Sequence, residues 1–325
     1  MARTALFLNP GAEWGAAVDL ARRADALGYD SLWVTHGVGR DAFLVLAGYA
    51  HAAPRVGLGT GIVPIYTRHP VLLAQEALTL AELTGGRLRL GLGVSHRSMM
   101  ESGLGLDLGN PLEVMREYVA VLRAALGGKV AHQGPRYRVA WQTGLHRLPP
   151  APPVLLAGLG PKMLELAGEA ADGVVLSAGL SRAFMKHSLE SVAAGAERAG
   201  RPLEALEIVG FVITATATAH AEAVEAARTT LAYLFRSKFI AENLRFTGTR
   251  IDLEALGEAA SRRDWDTAKR HVTDEVVHAY AIAGTSEECR RRLRDYLDVG
   301  LTTPVLFPVG DERNRHLVLE IARGI

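Results

Sequence analysis

The chain has 325 residues, 49% of them hydrophobic, and is long enough to bury a large core in a single α/β barrel. Lys and Arg number 36 against 35 for Asp and Glu, and a net charge of +1 leaves no basic stripe of the kind that binds nucleic acid. The N-terminus, MARTALFLNPG, has too short an apolar part for a signal peptide, and no apolar run approaches the roughly eighteen residues of a membrane span. We therefore expect a cytoplasmic protein with neither a nucleic-acid nor a membrane partner.

Short apolar runs alternate with longer helical patterns along the chain. Eight runs predict strands, at Ala5–Leu8, Ser31–Val34, Val56–Val63, Leu88–Val94, Val154–Ala157, Gly173–Ser177, Ile208–Thr214 and Pro304–Phe307. Eight periodic segments predict helices, at Trp14–Leu27, Asp41–Ala52, Val71–Leu83, Pro111–Leu126, Pro161–Ala171, Arg182–Arg198, Glu287–Val299 and Arg313–Ile321. Strands that alternate with such helices pair in parallel through right-handed crossovers, and eight units predict a (β/α)8 TIM barrel.

Two regions exceed eight minimal units. Residues 127–150, with GGKVAHQGPRYRVAWQ, predict a hairpin or an irregular excursion before the fifth strand. Residues 219–280 carry helical patterns after the seventh strand, where an insertion forms either a lid or wall of a substrate pocket or an oligomer contact. We expect one barrel domain over residues 1–325, with residues 219–280 as a helical insertion within it.

Glycines recur at three strand ends, in GLGTGI (57–62), GLGV (91–94) and AGLGPKM (157–163). Glycine weakens a strand and usually marks a place where something approaches the backbone closely. At the third site, Gly158 and Gly160 precede Pro161, which suits the first position of a helix, so free N–H groups there predict an anion site. Lys162 lies in the first turn, where a bound phosphate would offset the helix dipole; an exposed lysine without a role is the alternative.

Other familiar sites do not match. A Rossmann site needs GxGxxG running from strand into helix, but Pro64 and Tyr66 follow the first GxG, and His96 holds the third position after the second. The histidines lack metal-ligand spacing with one another or with carboxylates, so no metal is predicted. The single cysteine, Cys289, has no CxxC partner and is interpreted as a bystander thiol.

Three segments together resemble the bacterial luciferase-like family, and most closely its deazaflavin-dependent oxidoreductases, which include methylenetetrahydromethanopterin reductase. They are GTGIVPIYTRHPVLLAQEALTLAELTGGRLRLGLGVSHR, AGLGPKMLELAGEAADGVVL and GTSEECRRRLRDYLDVGLTTPVL. The resemblance extends from Gly28 to Phe307. It implies a (β/α)8 barrel that binds coenzyme F420, or FMN in sister branches, at the carboxyl ends of the strands.

The resemblance also implies a set of cofactor-binding residues and a backbone feature. The third strand would end in a bulge with a non-prolyl cis peptide at Gly61–Ile62, behind the central ring of the isoalloxazine, at a cost of roughly 3–4 kcal/mol. The phosphate would lie near the fourth and fifth strand ends. The cofactor-binding residues are thus Thr60, Gly61, Ile62, Gly93, Val94, Ser95, Ala157, Gly158, Leu159, Gly160, Pro161 and Lys162. Gly57 lies too early in its strand and is interpreted as a packing position.

His36 is the candidate catalytic residue. In SLWVTHGVGRDAF it matches the family's second-strand end, where an acid commonly precedes a histidine facing ring and substrate; here Thr35 replaces the acid. A histidine there could exchange a proton while hydride moves, or only orient the ring or line the site. Val94 stands where the sugar-phosphate dehydrogenases carry an acidic glutamate, which argues against that substrate class.

Nearby residues have structural interpretations. Asp41 is expected to cap the second helix, His69 or Thr67 the third, and Thr285 with Glu288 to form a capping box. Arg68 is expected either to pair with a carboxylate such as Glu76 or to touch a ligand. Ser95 is assigned to the phosphate, and His96 and Arg97 remain open between phosphate and substrate.

These inferences predict an oxidoreductase that moves hydride between coenzyme F420 and a small organic substrate. One alternative is an FMN-dependent luciferase-like monooxygenase supplied by a partner flavin reductase. Another is a non-catalytic flavin-binding protein, which the Thr35 departure leaves open. We further expect a homodimer.

Overall fold

A computed structural model describes residues 3–37 and 39–322. Its strands are β1 (Ala5–Phe7), β2 (Ser31–Val34), β3 (Gly57–Thr60), β4 (Val63–Pro64), β5 (Leu88–Gly93), β6 (Lys129–Gln133), β7 (Arg138–Gln142), β8 (Val154–Ala157), β9 (Gly173–Leu176), β10 (Glu207–Thr216), β11 (Ala281–Gly284) and β12 (Thr303–Pro308). Its α-helices are α1 (Trp14–Leu27), α2 (Ala42–Ala52), α3 (Pro70–Leu83), α4 (Pro111–Leu126), α5 (Pro161–Ala170), α6 (Arg182–Arg198), α7 (His220–Leu234), α8 (Lys238–Glu242), α9 (Leu253–Ser261), α10 (Trp265–Arg270), α11 (Asp274–Tyr280), α12 (Ser286–Asp298) and α13 (Glu312–Val318). Short 3-10 helices occupy Leu203–Ala205, Asn243–Phe246 and Leu319–Ala322, and a π-helix occupies Ser98–Gly103.

Parallel pairing closes these strands into a barrel. The order runs β1, β2, β3, β5, β8, β9, β10 and β12, and β12 pairs again with β1. The (β/α)8 barrel predicted from the alternation is therefore confirmed. Most element ends differ from the expected ones by a residue or two, and the last helix ends at Val318 instead of Ile321. The strand predicted over Val56–Val63 is interrupted, so that β3 and β4 are separate segments beside β5.

The predicted excursion at residues 127–150 contains an antiparallel hairpin of β6 and β7. Glu117 of α4 holds its turn, because the carboxylate accepts the N–H of Tyr137 at 2.9 Å and lies 3.1 Å from His132 Nε2. The hairpin is thereby attached to the helix that precedes it.

Five α-helices, α7 to α11, fill the segment after β10. They pack around their own hydrophobic cluster, which includes Leu231, Leu256 and Val276, and which also takes in Ile213 and Ala215 of β10. The chain then forms β11, a strand that the sequence did not predict, which pairs with residues 213–216 of β10. β9 pairs only with residues 207–210 of β10. β11 therefore lies beside β10 beyond the carboxyl end of β9, toward the mouth of the barrel.

The inside of the barrel is filled by large side chains opposite glycines. Trp33 of β2 and Phe211 of β10 are buried there and meet edge to face at 6.1 Å. A Cβ on Gly59 would lie 2.5 Å from the ring of Trp33, so only glycine leaves room at that position. Gly57 similarly faces Arg89, which agrees with its interpretation as a packing position.

Ion pairs close the amino-terminal end of the barrel. Arg89 of β5 reaches the carboxylate of Glu207 at the start of β10 at 2.9 Å, and both side chains are mostly buried. Asp30 lies 3.4 Å from the same guanidinium, and the Thr303 hydroxyl donates to Glu207 at 2.8 Å. The open, ligand-accessible end is therefore the carboxyl end of the strands.

Candidate active site at the mouth of the barrel

The layer of side chains in the barrel interior that lies nearest the mouth is apolar. We call this layer the floor of the mouth. Ala5, Leu155 and Val305 are buried in the interior, and the residues two positions later, Phe7, Ala157 and Phe307, pack against that layer while remaining partly exposed. Because side chains alternate along a strand, these residues face inward one layer closer to the mouth. Phe7 and Phe307 stack at 4.4 Å with an interplanar angle of 11°. The mouth is thus lined by apolar side chains, two of which are stacked aromatic rings.

Ile62 completes this floor from a bulge between β3 and β4. Leu58 pairs with Leu88 and Val63 with Leu92, so five steps along one strand oppose four along the other. One extra residue on one strand defines a β-bulge, as the family resemblance implied.

The expected cis peptide at Gly61–Ile62 is wrong: the bond is trans, and no peptide bond in the described residues is cis. The peptide groups on either side of this bond pair with β2. The Gly61 N–H donates to the carbonyl of Val34 at 2.6 Å, and the carbonyl of Ile62 accepts the N–H of His36 at 3.1 Å. Hydrogen bonds to β2 therefore hold the bulge without the cost of a non-prolyl cis bond.

The predicted cofactor-binding residues of β3 and β5 separate into two groups. Thr60 is buried, and its hydroxyl donates to the carbonyl of Gly91 at 2.9 Å and accepts the Gly91 N–H at 2.8 Å, so it ties the two strands together. Gly93 is adjacent to the floor, since a Cβ there would lie 2.8 Å from the Ile62 side chain and 3.5 Å from Cβ of Ala157. The structure thus brings Ile62, Gly93 and Ala157 together and leaves the Thr60 side chain buried between the two strands.

Val94 and Ser95 follow β5 and are half-buried. Ser95 has φ of 61°, in the left-handed region that non-glycine residues seldom adopt. A π-helix begins at Ser98, and such turns are rare and frequently found at functional sites. His96 and Arg97 are exposed, and Arg97 forms a close ion pair with Glu101. The loop after β5 therefore combines backbone strain with an uncommon helix at the edge of the mouth.

The predicted anion site lies at the start of α5. Ala157 to Gly160 are half-buried, whereas Pro161 and Lys162 are exposed. Gly160 is the N-cap with φ of −88° and ψ of 151°, no side chain caps the helix, and a Cβ at Gly160 would have nothing within 4 Å. Open space at an uncapped helix start suits a bound anion. Beside it, a cavity of about 210 Å³ is lined by Gly160, Phe184, His187 and Arg245, among others.

His36 is half-buried beside the floor, in the loop after β2, and contacts residues of two loops. Its Nδ1 accepts the N–H of Ala42 at 3.3 Å and lies 3.7 Å from a carboxylate oxygen of Asp41. Its Nε2 lies 3.5 Å from the guanidinium of Arg68. Burial and the charge of Arg68 lower the pKa of His36, and the opposing effect of Asp41 does not restore it. Both effects favour the uncharged imidazole over the imidazolium.

The structural interpretations of the neighbouring residues are confirmed. Asp41 caps α2 by accepting the N–H groups of Phe43 and Leu44, and Arg68 pairs with Glu76 at 2.8 Å. His69 accepts the Val71 N–H at the start of α3, and Thr285 and Glu288 form a capping box. Thr35, which replaces the family's acid, exchanges two hydrogen bonds with Asn9, at 2.7 and 2.9 Å.

Sequence reasoning missed Phe7 and Phe307 of the floor, and it missed the contacts of His36 with Asp41 and Arg68. An apolar residue near a strand end carries no signal of its own, and the period-two pattern applied from Ala5 and Val305 would have found both phenylalanines. In the two described stretches, 3–37 and 39–322, no three His, Cys, Asp or Glu side chains meet as a metal site. Within the same residues, no helix has the length and apolar character of a membrane span.

Comparison with known proteins gives the family. Residues 1–303 match the family model described as luciferase-like monooxygenase. The 5,10-methylenetetrahydromethanopterin reductase of Methanolobus tindarius is 30% identical over 311 residues, covering 92% of each chain. The enzyme of the same name from Archaeoglobus fulgidus is 28% identical and covers 91% of this chain and 90% of its own.

Solved structures give the same fold. The coenzyme F420 dependent tetrahydromethanopterin reductase of Methanopyrus kandleri superposes with a TM-score of 0.87 at 23% identity, over 100% of this chain and 98% of its own. An F420-dependent secondary alcohol dehydrogenase superposes with a TM-score of 0.77 at 19% identity, over 98% of both chains. The resemblance inferred from the three sequence segments is confirmed, and the chain belongs to the luciferase-like monooxygenase family.

Proposed function

We propose that this protein is an oxidoreductase that transfers hydride between coenzyme F420 and a small organic substrate at the mouth of the barrel. The observation that carries the proposal is the apolar floor of Phe7, Ile62, Ala157 and Phe307, to which His36 is joined by the hydrogen bond from its N–H to the Ile62 carbonyl. A planar aromatic ring fits such a surface, while the neighbouring imidazole can exchange a proton. The relatives named as methylenetetrahydromethanopterin reductases and the F420-dependent structures point to the same coenzyme.

The residues present fit a phosphorylated deazaflavin. Ile62, Gly93 and Ala157 would lie against its ring, because they meet at one place on the floor and Gly93 has no side chain to project from it. The phosphate would be held where α5 begins, by Gly158 to Lys162, with Ser95 from the adjacent strand end. The open space at Gly160 and its uncapped helix start leave this position free for an anion.

When bound, the deazaflavin supplies the carbon that gives or takes the hydride. The protein orients the ring, excludes water with the apolar floor, and places His36 where a substrate heteroatom gains or loses a proton. Methylenetetrahydromethanopterin is the first substrate to test, on the strength of the relatives' names.

The first experiment titrates the purified protein with coenzyme F420 and with FMN and follows fluorescence quenching. Binding of F420 in the micromolar range without comparable FMN binding is expected. FMN binding with none of F420 would instead favour the monooxygenase alternative, and binding of neither would contradict the proposal. His36→Ala should retain coenzyme affinity and lose hydride transfer; unchanged turnover would remove His36 from the reaction.

A matched pair of variants locates the phosphate. Gly160→Asp places a carboxylate at the helix start, where it caps α5 and repels a second anion, whereas Gly160→Ser caps the helix without charge. Both should be at least as stable as the parent, because a side chain at Gly160 meets open space. The aspartate variant alone should lose most F420 affinity. Equal affinity in both variants would place the phosphate elsewhere.

We also infer that the protein is a homodimer that associates through α2 and α3. No Asp, Glu, Lys or Arg occurs from Ala42 to Ala52, and Leu44 of α2 is 75% exposed while Leu72 of α3 is 55% exposed. A helix that is apolar all round is usually covered, and an uncharged surface can meet its own copy without repulsion.

Light scattering on the protein eluted from a gel-filtration column measures its oligomeric state and so tests this surface. The parent chain is expected to be a dimer, and Leu44→Glu with Leu72→Glu a monomer of unchanged fold. Leu253→Glu, an exposed leucine of the insertion, is the control that should remain dimeric. A monomeric parent chain would contradict the inference. A cytoplasmic location and the absence of a nucleic-acid partner stay predictions from charge and sequence.

A further inference from the structure

Arg68 is held firmly in the turn that precedes α3. Its guanidinium pairs closely with Asp41 and lies 2.8 Å from Glu76, and the side chain is 13% exposed. It also lies over the ring of Phe43 at 5.7 Å, and its backbone carbonyl accepts the Tyr118 hydroxyl at 3.1 Å. Contacts on several sides fix the position of the cation next to His36.

Asp41 is the carboxylate closest to the His36 ring, 3.7 Å from Nδ1. It therefore lies where it could replace the acid that Thr35 lacks. The same carboxylate oxygen, however, is the one that Arg68 binds. Among the described residues, the charged groups that face His36 are Asp41 from its own loop and Arg68 from the turn before α3, with Glu76 of α3 behind Arg68. The carboxylate that would favour a charged imidazole is thus already paired.

Hydrogen bonding points the same way. The N–H of Ala42 donates to His36 Nδ1, and an N–H of Arg68 approaches Nε2 at 3.5 Å. An imidazolium has a proton on each nitrogen and can accept neither N–H, whereas the neutral ring has one bare nitrogen and can accept one of them. The geometry around the ring therefore favours the neutral form over the cation.

We propose that Arg68 is a positioning residue for His36: by binding Asp41 and facing Nε2 it keeps the imidazole uncharged and oriented for proton exchange at the barrel mouth. The inference rests on the proposed function for the meaning of that proton exchange. The charge state itself is a property of the protein alone and can be measured without coenzyme.

Removing the Arg68 cation should leave the Asp41 carboxylate without its ion-pair partner. In Arg68→Met the His36 pKa is expected to rise by about 1 pH unit, because an unpaired carboxylate nearby favours the imidazolium, while burial, the largest cause of the lowered pKa, still acts. Arg68→Lys retains the charge and should keep the pKa low. Asp41→Asn should lower the His36 pKa further. When Arg68→Met and Asp41→Asn are combined, the His36 pKa should lie between those of the two single variants. Glu76→Gln also removes a partner of Arg68, but one behind it, and should change the pKa far less.

The measurement is an NMR titration of the histidine rings in the full chain without coenzyme, with His36 assigned by the loss of its signal in His36→Gln. An unchanged or lowered pKa in folded Arg68→Met overturns the proposal. If Arg68→Met does not fold, Asp41→Asn decides, because a rise in that variant has the wrong sign.

A second readout uses turnover with F420 and the test substrate. The pH profile of kcat/KM for Arg68→Met should shift to higher pH, while coenzyme Kd stays within about threefold because Arg68 is not placed against the coenzyme. A failed F420 titration would overturn the proposed function and leave the NMR result standing. A normal pH profile in an active Arg68→Met enzyme would overturn the positioning role and leave the function standing.

Discussion

Phe211 of β10 occupies the space that a side chain at Gly61 of the β3 bulge would need, since a Cβ there would lie 2.2 Å from Phe211 Cζ. Glycine is therefore required at position 61 because an aromatic ring in the barrel interior leaves no room for a side chain there. The coenzyme ring is proposed to lie on the other side of this layer, on the floor at the mouth.

The Gly61→Ala variant should lower the free energy of unfolding by about 1–3 kcal/mol, because overpacking forces neighbouring groups out of their preferred positions. The smaller side chain in Phe211→Leu should remove most of this penalty when the two changes are combined. Urea unfolding measures the free energies. Gly160→Ala is the control, expected within about 0.5 kcal/mol of the parent. A Gly61→Ala variant as stable as the parent would show that Phe211 moves aside freely.

Arg89→Met should destabilise the fold by about 3 kcal/mol, because it leaves the mostly buried Glu207 carboxylate without its closest cation. Combining it with Glu207→Gln should recover part of the loss, and a double-mutant cycle by urea unfolding gives the coupling. Arg22→Met removes an exposed pair with Asp19 and should cost less than about 0.5 kcal/mol. Equal effects of the two arginine changes would contradict the view that Arg89 closes the base of the barrel.

Glu117→Gln should weaken the attachment of the β6–β7 hairpin. Burial alone would raise the pKa of Glu117, but hydrogen bonds from Tyr137, His132 and Arg136 outweigh it, and the pKa lies below its ordinary value of 4.5. A carboxyl with a lowered folded pKa stabilises the fold above its unfolded pKa, and this contribution is lost as pH falls through the folded pKa.

The Glu117→Gln variant should therefore be less stable than the parent by about 1–3 kcal/mol near neutral pH, and the gap should close in acid below the ordinary carboxyl range. Urea unfolding across pH measures the gap, and limited proteolysis reports on the hairpin. Glu190→Gln, at an exposed position of α6, should show no such gap. A gap that widens in acid would have the wrong sign.

Cys289 should be unreactive in the folded protein. Its thiol is fully buried between β10 and α12, and burial raises its pKa to about 11. A disulfide reagent at about pH 8 should label no thiol in the native protein and one per chain in guanidinium, because the thiolate is the reacting form. Rapid native labelling would show that the helix opens locally.

Sequence patterns predicted the barrel because each unit carried a short apolar run and a periodic helix, and most of these helices, though not α1, start at a capping side chain or a proline. Asp41, Pro111 and Thr285 mark helix starts through chemistry that acts within a few residues. The strand β11 was missed because AIAG follows α11 without a break, and four apolar residues are equally consistent with the end of a helix.

The candidate site was predicted only where its residues lie on one stretch of chain. Gly160 and Pro161 announce an anion site through local backbone chemistry. The floor and the surroundings of His36 depend instead on strands and loops distant in sequence, such as Phe7 beside Phe307, and Asp41 beside Arg68. The cis bond was expected by family analogy alone, and in this chain the bond is trans.

The strand β11 makes the rim of the barrel uneven. β11 pairs with residues 213–216 of β10, beyond the point where β9 ends. The wall of the barrel is therefore about 10 Å higher on that side. The helices α7 and α11 pack on this higher part of the wall, and the cluster formed by α7 to α11 includes Ile213 and Ala215 of β10. Movement of these helices as a flap would therefore have to break this cluster. A substrate should approach over the lower rim, across the loops that carry His36 and Ser95.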